Sequence, residues 1–191
     1  MAKPDKRDDI IRAAMTLIAE QGFHGAPMAM IAEKAGVGTG TIYRYFTSRD
    51  TLINDLYREE DKRFVAFLLE KYQYDRPVRE CFFHIGIGII KYFIRNSLEF
   101  RYIEQFHNSP YGVEYRRNRL FESADKPDIF TELYERGLAQ QVIKNLPQVI
   151  FFNLAFAPII WVLRDHLLRL VDLDDSLSEK LVSACWDSVK M

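Results

Sequence analysis

Residues 28–47 constrain the fold more than any other stretch of this chain. Ala32 lies on the apolar side of a first short helix, and Gly36 follows four residues later. A helix often ends in a left-handed residue, a conformation that glycine adopts without strain. Ile42 and Phe46, four residues apart, form the buried side of a second short helix. The pattern predicts two short helices joined by a sharp turn.

The outward side of the second helix has the composition of a DNA-reading surface. It carries hydroxyl, phenol and guanidinium groups, and the sequence has no acidic side chain between residues 35 and 48. A short helix of this kind suits the major groove of DNA, where hydrogen-bond donors and acceptors of the bases are exposed. The segment is therefore predicted to be a helix-turn-helix.

The run that carries this pattern is IAEKAGVGTGTIYRYFTSRDTL, residues 31–52. It closely resembles the DNA-binding signature of the TetR/AcrR family of bacterial regulators, and the resemblance covers about residues 5–56. It implies an all-helical homodimer that binds operator DNA and usually releases it when a small ligand enters the C-terminal domain. It also implies that Thr41, Tyr43, Tyr45 and Arg49 contact phosphates.

Two positions depart from the family pattern. Pro27 stands where a Thr or Ser usually caps the first of the two helices, and Gly38 stands where a capping Ser is common. Both residues are compatible with a helix start, but neither has a hydroxyl to offer to a phosphate. Sequence preference is therefore expected to depend more on the remaining outward side chains.

Arg44 is the side chain on the second helix that can bind guanine bidentately. A phosphate contact is the main alternative for Arg44, and partial burial is the alternative for Tyr45. The basic arm of residues 2–7 could reach an adjacent minor groove or phosphate, although a frayed terminus is the more common outcome. The complete set of candidate DNA-binding residues is Thr39, Gly40, Thr41, Tyr43, Arg44, Tyr45 and Arg49.

Composition limits the other classes of function. The formal charge is −1, so DNA affinity has to come from the local placement of cations, not from bulk charge. Cys81 and Cys185 are expected to be buried free thiols in a reducing cytosol, which predicts a cytoplasmic protein. The four histidines are scattered and no nucleophile–base motif is present. We therefore expect no metal, no cofactor and no enzymatic activity.

The remaining sequence predicts further helices. A first helix begins at Asp8 and ends near Gly22, and another runs from Thr47 to about Tyr72 with Thr47 and Asp50 as a capping-box variant. Later helices are predicted over residues 78–96, 99–106, 111–121, 128–139 and 147–170, followed by a last one capped by Asp174 or Asp175. The fold class is all-α, with about nine helices. The predicted domains are a three-helix DNA-binding head, residues 1–47, and a larger effector-binding and dimerisation domain, residues 48–191.

The helix predicted over residues 147–170 is apolar nearly all round, so it has to be covered on every side. A second subunit is the expected cover, in a four-helix interface with the last helix. The longest apolar run, residues 149–163, is interrupted by Asn153 and Pro158 and is expected to be too short to cross a membrane. The predicted interface residues are Phe152, Phe156, Ile160, Leu163, Leu167, Leu181, Cys185 and Val189.

A ligand pocket is the least constrained part of the sequence. Aromatic side chains could line a cavity for an apolar or aromatic effector, although such stripes are more often plain core. Gly86 and Gly88 inside a predicted helix indicate close approach of another helix or of a ligand. The candidates are Phe82, Gly86, Phe93, Tyr102, Phe106 and Phe152, with His84, Arg101 and Glu104 as polar partners.

The function predicted from these features is a ligand-responsive repressor that binds a pseudo-palindromic operator. The alternative is a DNA-binding protein of the same fold that organises the chromosome without a small effector.

Overall fold

The computed structural model describes residues 6–121 and 128–191, and within them the chain forms eleven α-helices. This confirms the all-α class. The helices are α1 Lys6–Gln21, α2 Met28–Lys34, α3 Thr39–Tyr45, α4 Arg49–Leu69, α5 Val78–Arg95, α6 Ser97–His107, α7 Pro110–Phe121, α8 Ile129–Ala139, α9 Gln148–Ala155, α10 Ala157–Leu167 and α11 Asp175–Val189.

The single helix predicted over residues 147–170 is wrong, because the structure has two helices there. The backbone leaves helical geometry at Phe156, with φ −127° and ψ −23°, which ends α9 and caps α10. Pro158 follows in the first turn of α10, where a missing N–H costs nothing because it would have no helical partner. The proline therefore explains the break.

The start of α4 is capped by a different residue from the one predicted. Ser48 Oγ accepts a hydrogen bond of 3.1 Å from the backbone N–H of Thr51, so Ser48 and not Thr47 satisfies that group. The Thr47 hydroxyl instead lies 3.2 Å from that of Thr51. At the last helix, Asp174 is the cap and accepts from the N–H of Leu177 at 2.7 Å.

The described chain divides into two compact units. The first contains residues 6–63 and 96–121, and the second contains residues 64–95 and 128–191. The first unit is larger than the predicted head of residues 1–47, because α6 packs against α1 and the start of α4 belongs to the same core. Tyr102 shows this directly: it is fully buried, and its hydroxyl donates to the carbonyl of Ile53 at 3.2 Å.

The second unit is built around α5, which packs against α10 and α11. Gly86 lies at the closest point of this packing. A Cβ atom placed on Gly86 would be 2.9 Å from both Cγ atoms of Val182 and 3.4 Å from Ile159 Cδ1. The glycine is therefore explained by close helix packing, the first of the two predicted reasons.

We expect Gly86→Ala to lower the free energy of unfolding by about 1–3 kcal/mol, because the β-branched Val182 cannot rotate out of the way. Thermal or urea denaturation measures this. Gly88→Ala is the matched control, since its Cβ would meet the end of the flexible Leu68 side chain at 2.6 Å. There the gain in helix propensity, about 1 kcal/mol, offsets the contact. Equal losses in the two variants would contradict this account.

Candidate DNA-binding interface

The turn between α2 and α3 has the predicted geometry. Gly36 has φ +64°, and its N–H donates to the carbonyl of Glu33 at 3.0 Å, while the N–H of Val37 donates to that of Ala32 at 3.0 Å. These bonds close the end of α2 and turn the chain into α3. Ile42 and Phe46 are both fully buried, as predicted, so the orientation of α3 in the head is fixed by its apolar side.

The opposite side of α3 faces solvent. Thr39, Gly40, Tyr43 and Arg44 are exposed, whereas Thr41 and Tyr45 are half-buried. The guanidinium of Arg44 lies 5.6 Å from the centre of the Tyr45 ring, within the range of a cation–π contact. Six of the seven candidate residues therefore share one short helix and leave a polar, uncharged or cationic surface available to DNA.

Pro27 and Gly38 occupy the N-cap positions of α2 and α3, and neither helix start receives a side-chain hydrogen bond from its cap. Both caps have extended backbone geometry, which is the geometry of an ordinary helix start. The two departures from the family pattern thus leave the helices intact and remove only hydroxyl groups.

Arg49 has a structural contact that the sequence did not reveal. Its guanidinium donates to the carbonyl of Phe23, and its Nε donates to that of Ala26 at 3.3 Å. Both acceptors lie in the turn between α1 and α2. Arg49 therefore ties the start of α4 to this turn, and only the part of its guanidinium outside these bonds is available for a phosphate.

Arg7 is also held inside the head. It forms an ion pair with Glu59 and lies 5.4 Å from the centre of the Phe46 ring. The hydrogen bond to Glu59 raises the pKa of Arg7, against a smaller opposing effect of burial. This cation stabilises the packing of α1 on α4, while Lys6 remains exposed. The rest of the predicted basic arm, residues 2–5, lies outside the described residues.

The six candidate ligand residues do not form one group. Tyr102 and Phe106 belong to the core of the first unit. In the second unit, Phe82 packs against Phe156 and Trp186, each with ring centres 5.2 Å apart. In the same unit, Phe93 packs against Phe64 at 5.1 Å, and Phe152 lies 6.1 Å from Tyr134 and 6.4 Å from Phe130, each measured between ring centres.

The polar partners suggested for a ligand also have other roles or positions. His84 Nε2 lies 2.8 Å from the carbonyl of Leu68 and closes the end of α4. Arg101 is exposed and Glu104 is half-buried. Two open clefts, of about 250 and 220 Å³, are lined by residues 166–172 and by residues 71–84, respectively. Of the predicted ligand residues and partners, only His84 lines either cleft.

Several of the predicted interface residues are buried within their own protomer. Leu163 and Val189 are fully buried, and Cys185 and Phe156 retain 3% and 8% exposure, so these four offer little surface to a partner. Burial also raises the pKa of Cys185 to about 11, which keeps this thiol protonated at neutral pH. The other four, Phe152, Ile160, Leu167 and Leu181, are half-buried.

The exposed apolar side chains in this region lie on α9, α10 and α11, with Leu168 directly after the end of α10. The hydroxyl of Ser188 on α11 donates to the carbonyl of Leu154 on α9 at 3.3 Å, so these two faces adjoin. The exposed residues are Val149, Ile150, Leu154, Trp161, Leu168 and Leu177. They form what we call the apolar face.

The stretch Gln148–Leu167, which is longer than the predicted apolar run of residues 149–163, is long and apolar enough to cross a membrane by length and composition, with a mean hydropathy of 1.4. The core helices of soluble proteins have the same length and composition. Only 28% of the most apolar part is buried within the protomer.

No cluster of three or more metal-ligating side chains occurs in residues 6–121 and 128–191.

Comparisons with known proteins agree with this geometry along nearly the whole chain. The family model of bacterial regulatory proteins of the TetR family matches residues 10–56, and that of the tetracyclin repressor-like C-terminal domain matches residues 77–190. The fatty acid metabolism regulator protein of Bacillus subtilis is 27% identical over 189 residues, which cover 95% of this chain and 96% of that protein. A TetR-family regulator from Vibrio parahaemolyticus has a TM-score of 0.80 and 28% identity, over 98% of this chain and 99% of that one.

The two family matches together cover the helix-turn-helix and most of the C-terminal helices. The relatives that match along their whole length include transcriptional regulators, among them an HTH-type regulator of Haemophilus influenzae that is 22% identical over 99% of this chain and 98% of its own. The chain belongs to the TetR family and is a DNA-binding transcriptional regulator.

Proposed function

We propose that this regulator is a repressor that binds a pseudo-palindromic operator as a homodimer and leaves it when a small apolar ligand binds. The observation that carries the proposal is the outward side of α3, where Thr39, Tyr43 and Arg44 are exposed on a helix whose other side is locked into the core. Two such helices about 34–36 Å apart would read successive major grooves of one operator.

The apolar face supports the homodimer. Trp161 is 61% exposed and Leu154 is 40% exposed, and both lie on helices that are hydrophobic along most of their length. Large apolar side chains exposed on packed helices in this way are typical of a site of protein association. A partner subunit that presents the same face would bury it around a twofold axis.

The effector is proposed to be a fatty acid or a derivative of one. The support is the full-length similarity to a protein named a fatty acid metabolism regulator, together with the apolar and aromatic composition of the second unit. The aromatic rings there pack on one another, so a ligand would have to separate contacts such as Phe82 with Phe156. Ligand binding would then stabilise a conformation in which the two heads are wrongly spaced for the operator.

Such a ligand must bind one conformation of the regulator much more tightly than the other. To move a population from 99% binding-competent to 99% released, it must bind the released conformation about 10⁴-fold more tightly. A ligand with no preference between the two conformations would leave the operator occupied, however tightly it binds.

A regulator of this kind acts on chromosomal DNA and is therefore proposed to be cytoplasmic and non-enzymatic.

Genome-wide footprinting, followed by binding of the purified protein to a recovered site, tests the proposal. We expect few strong sites, placed beside genes of fatty acid metabolism or beside the regulator's own gene. Titration with free and esterified fatty acids should then dissociate the complex. Many dispersed sites and no response to these molecules would instead support the alternative, a chromosome-organising protein.

A further inference from the structure

Tyr111, in the first turn of α7, contacts both the DNA-binding head and the start of α4. Its hydroxyl donates to Asp50 Oδ1 at 2.5 Å, and its ring centre lies 5.4 Å from that of Phe23. Asp50 is in the first turn of α4, directly after Arg49. Phe23 is in the turn between α1 and α2, and its carbonyl accepts the bond from Arg49. Tyr111 therefore contacts the same two segments that Arg49 joins, the start of α4 and the turn between α1 and α2.

A second contact joins α7 to α4 two turns further along. The ring of Tyr57 is stacked on Phe106 with centres 3.8 Å apart, and Tyr115 meets Tyr57 edge-on at 4.7 Å. Asp50 and Tyr57 are seven residues apart, so they lie on the same side of α4. Helix α7 is thus attached to α4 at two points, a polar one at Asp50 and an aromatic one at Tyr57.

The start of α7 is itself held firmly against the end of α6. A Cβ atom on Gly112 would be 2.2 Å from the carbonyl oxygen of Phe106 and 2.6 Å from the Cα of His107. The hydroxyl of Ser109 donates to the carbonyl of Phe106 at 2.7 Å and accepts the N–H of Gly112 at 3.4 Å, so it caps the start of α7 and ties it to the end of α6. Because its backbone has so little freedom, Tyr111 presents its hydroxyl to Asp50 from a fixed point.

We propose that Tyr111 is a positioning residue for operator binding: through Asp50 and Phe23 it fixes the angle at which the DNA-binding head is held on α4. The inference rests on the proposed function, because a head angle matters only when two heads must engage one operator. It makes α7 the element that transmits a change of conformation to the head. The polar contact at Asp50, one exposed hydrogen bond, is the weaker of the two attachments and the one that can be switched.

Tyr111→Phe tests this, because it removes only the hydroxyl and keeps the ring on Phe23. Without one hydrogen bond to a carboxylate, binding to a full operator should weaken about three- to tenfold, since the two heads are no longer pre-oriented. Binding to a duplex with a single half-site should be unchanged, because one intact head is sufficient there. Fluorescence anisotropy measures both affinities.

Two Asp50 variants show whether Tyr111 acts through this carboxylate. Asp50→Asn keeps an acceptor and should bind nearly as the wild type does. Asp50→Ala should reproduce the weaker binding to the full operator, and the double variant with Tyr111→Phe should bind no more weakly than either single variant.

Equal losses on full and half-sites would overturn the inference, because they would mean that Tyr111 only stabilises the fold of the head. An unchanged full-operator affinity in Tyr111→Phe would also overturn it. A wild-type protein that binds both duplexes equally would instead overturn the proposed dimeric function, and the inference with it. The wild-type measurement alone distinguishes the two failures.

Discussion

A regulator in which Leu154 and Trp161 are both changed to Asp is expected to be a monomer without specific operator binding. The two side chains lie seven residues apart on the apolar face and are 40% and 61% exposed in the protomer. In the proposed dimer each aspartate would be buried without a partner, which costs several kcal/mol per charge. Sedimentation or light scattering measures the conversion of dimer to monomer.

The effect on DNA follows from the absence of the second head. A dimer gains affinity because its second head binds an adjacent half-site at high effective concentration, an advantage of about 10²–10⁴-fold. The monomer should therefore bind a full operator hardly better than a half-site. Val113→Asp is the control, because Val113 is 55% exposed on α7, outside the apolar face, and should leave both dimer and affinity intact. A doubly charged variant that is still dimeric would show that another surface forms the interface.

The difference between the predicted interface residues and the apolar side chains that the protomer leaves exposed has a physical cause. Along most helices the polar positions reveal which side faces solvent, but α9 and α10 are apolar nearly all round and give no such reference. The predicted helical phase placed Leu163 and Val189 on the interface, whereas both are fully buried under their own protomer. The break at Phe156 shifts the phase again between the two helices.

The helix-turn-helix could be predicted because its determinants are local. The need for glycine at position 36 follows from its positive φ, and the spacing of Ile42 and Phe46 follows from one helical turn. The tether from Arg49 to the carbonyl of Phe23 could not be predicted in the same way. It joins residues 26 positions apart, and a cation at the start of a helix gives no sign of which distant acceptor it will meet.

The aromatic stripes were ambiguous for a related reason. A sequence shows that Phe82 and Phe93 are on the same helix, but not which rings will pack against each of them. In the structure they contact different partners, Phe82 with Trp186 and Phe93 with Phe64. Tyr102 lies in the other unit because α6 packs against α1. The apolar pattern within α6 does not show which helix it will pack against.

Arg44→Ala is expected to relax the sequence preference of the regulator. The side chain is exposed on α3, and a bidentate contact with guanine is worth about 1–3 kcal/mol of discrimination against a wrong base. The ratio of affinities for the operator and for a scrambled duplex should fall by the corresponding factor. The dependence of binding on salt should change little, because a guanine contact releases no counterion from a phosphate.

Arg49→Ala provides the comparison. Its DNA partner is expected to be a phosphate, so affinity should fall by the same factor on both duplexes, and the slope of log K against log salt should fall by about 0.9 for each phosphate that is no longer neutralised. The melting temperature should also fall, because the variant cannot form the bonds from Arg49 to the carbonyls of Phe23 and Ala26. Equal losses on operator and scrambled DNA for Arg44→Ala, with a smaller salt slope, would instead place Arg44 on a phosphate and leave base reading to the threonines and Tyr43.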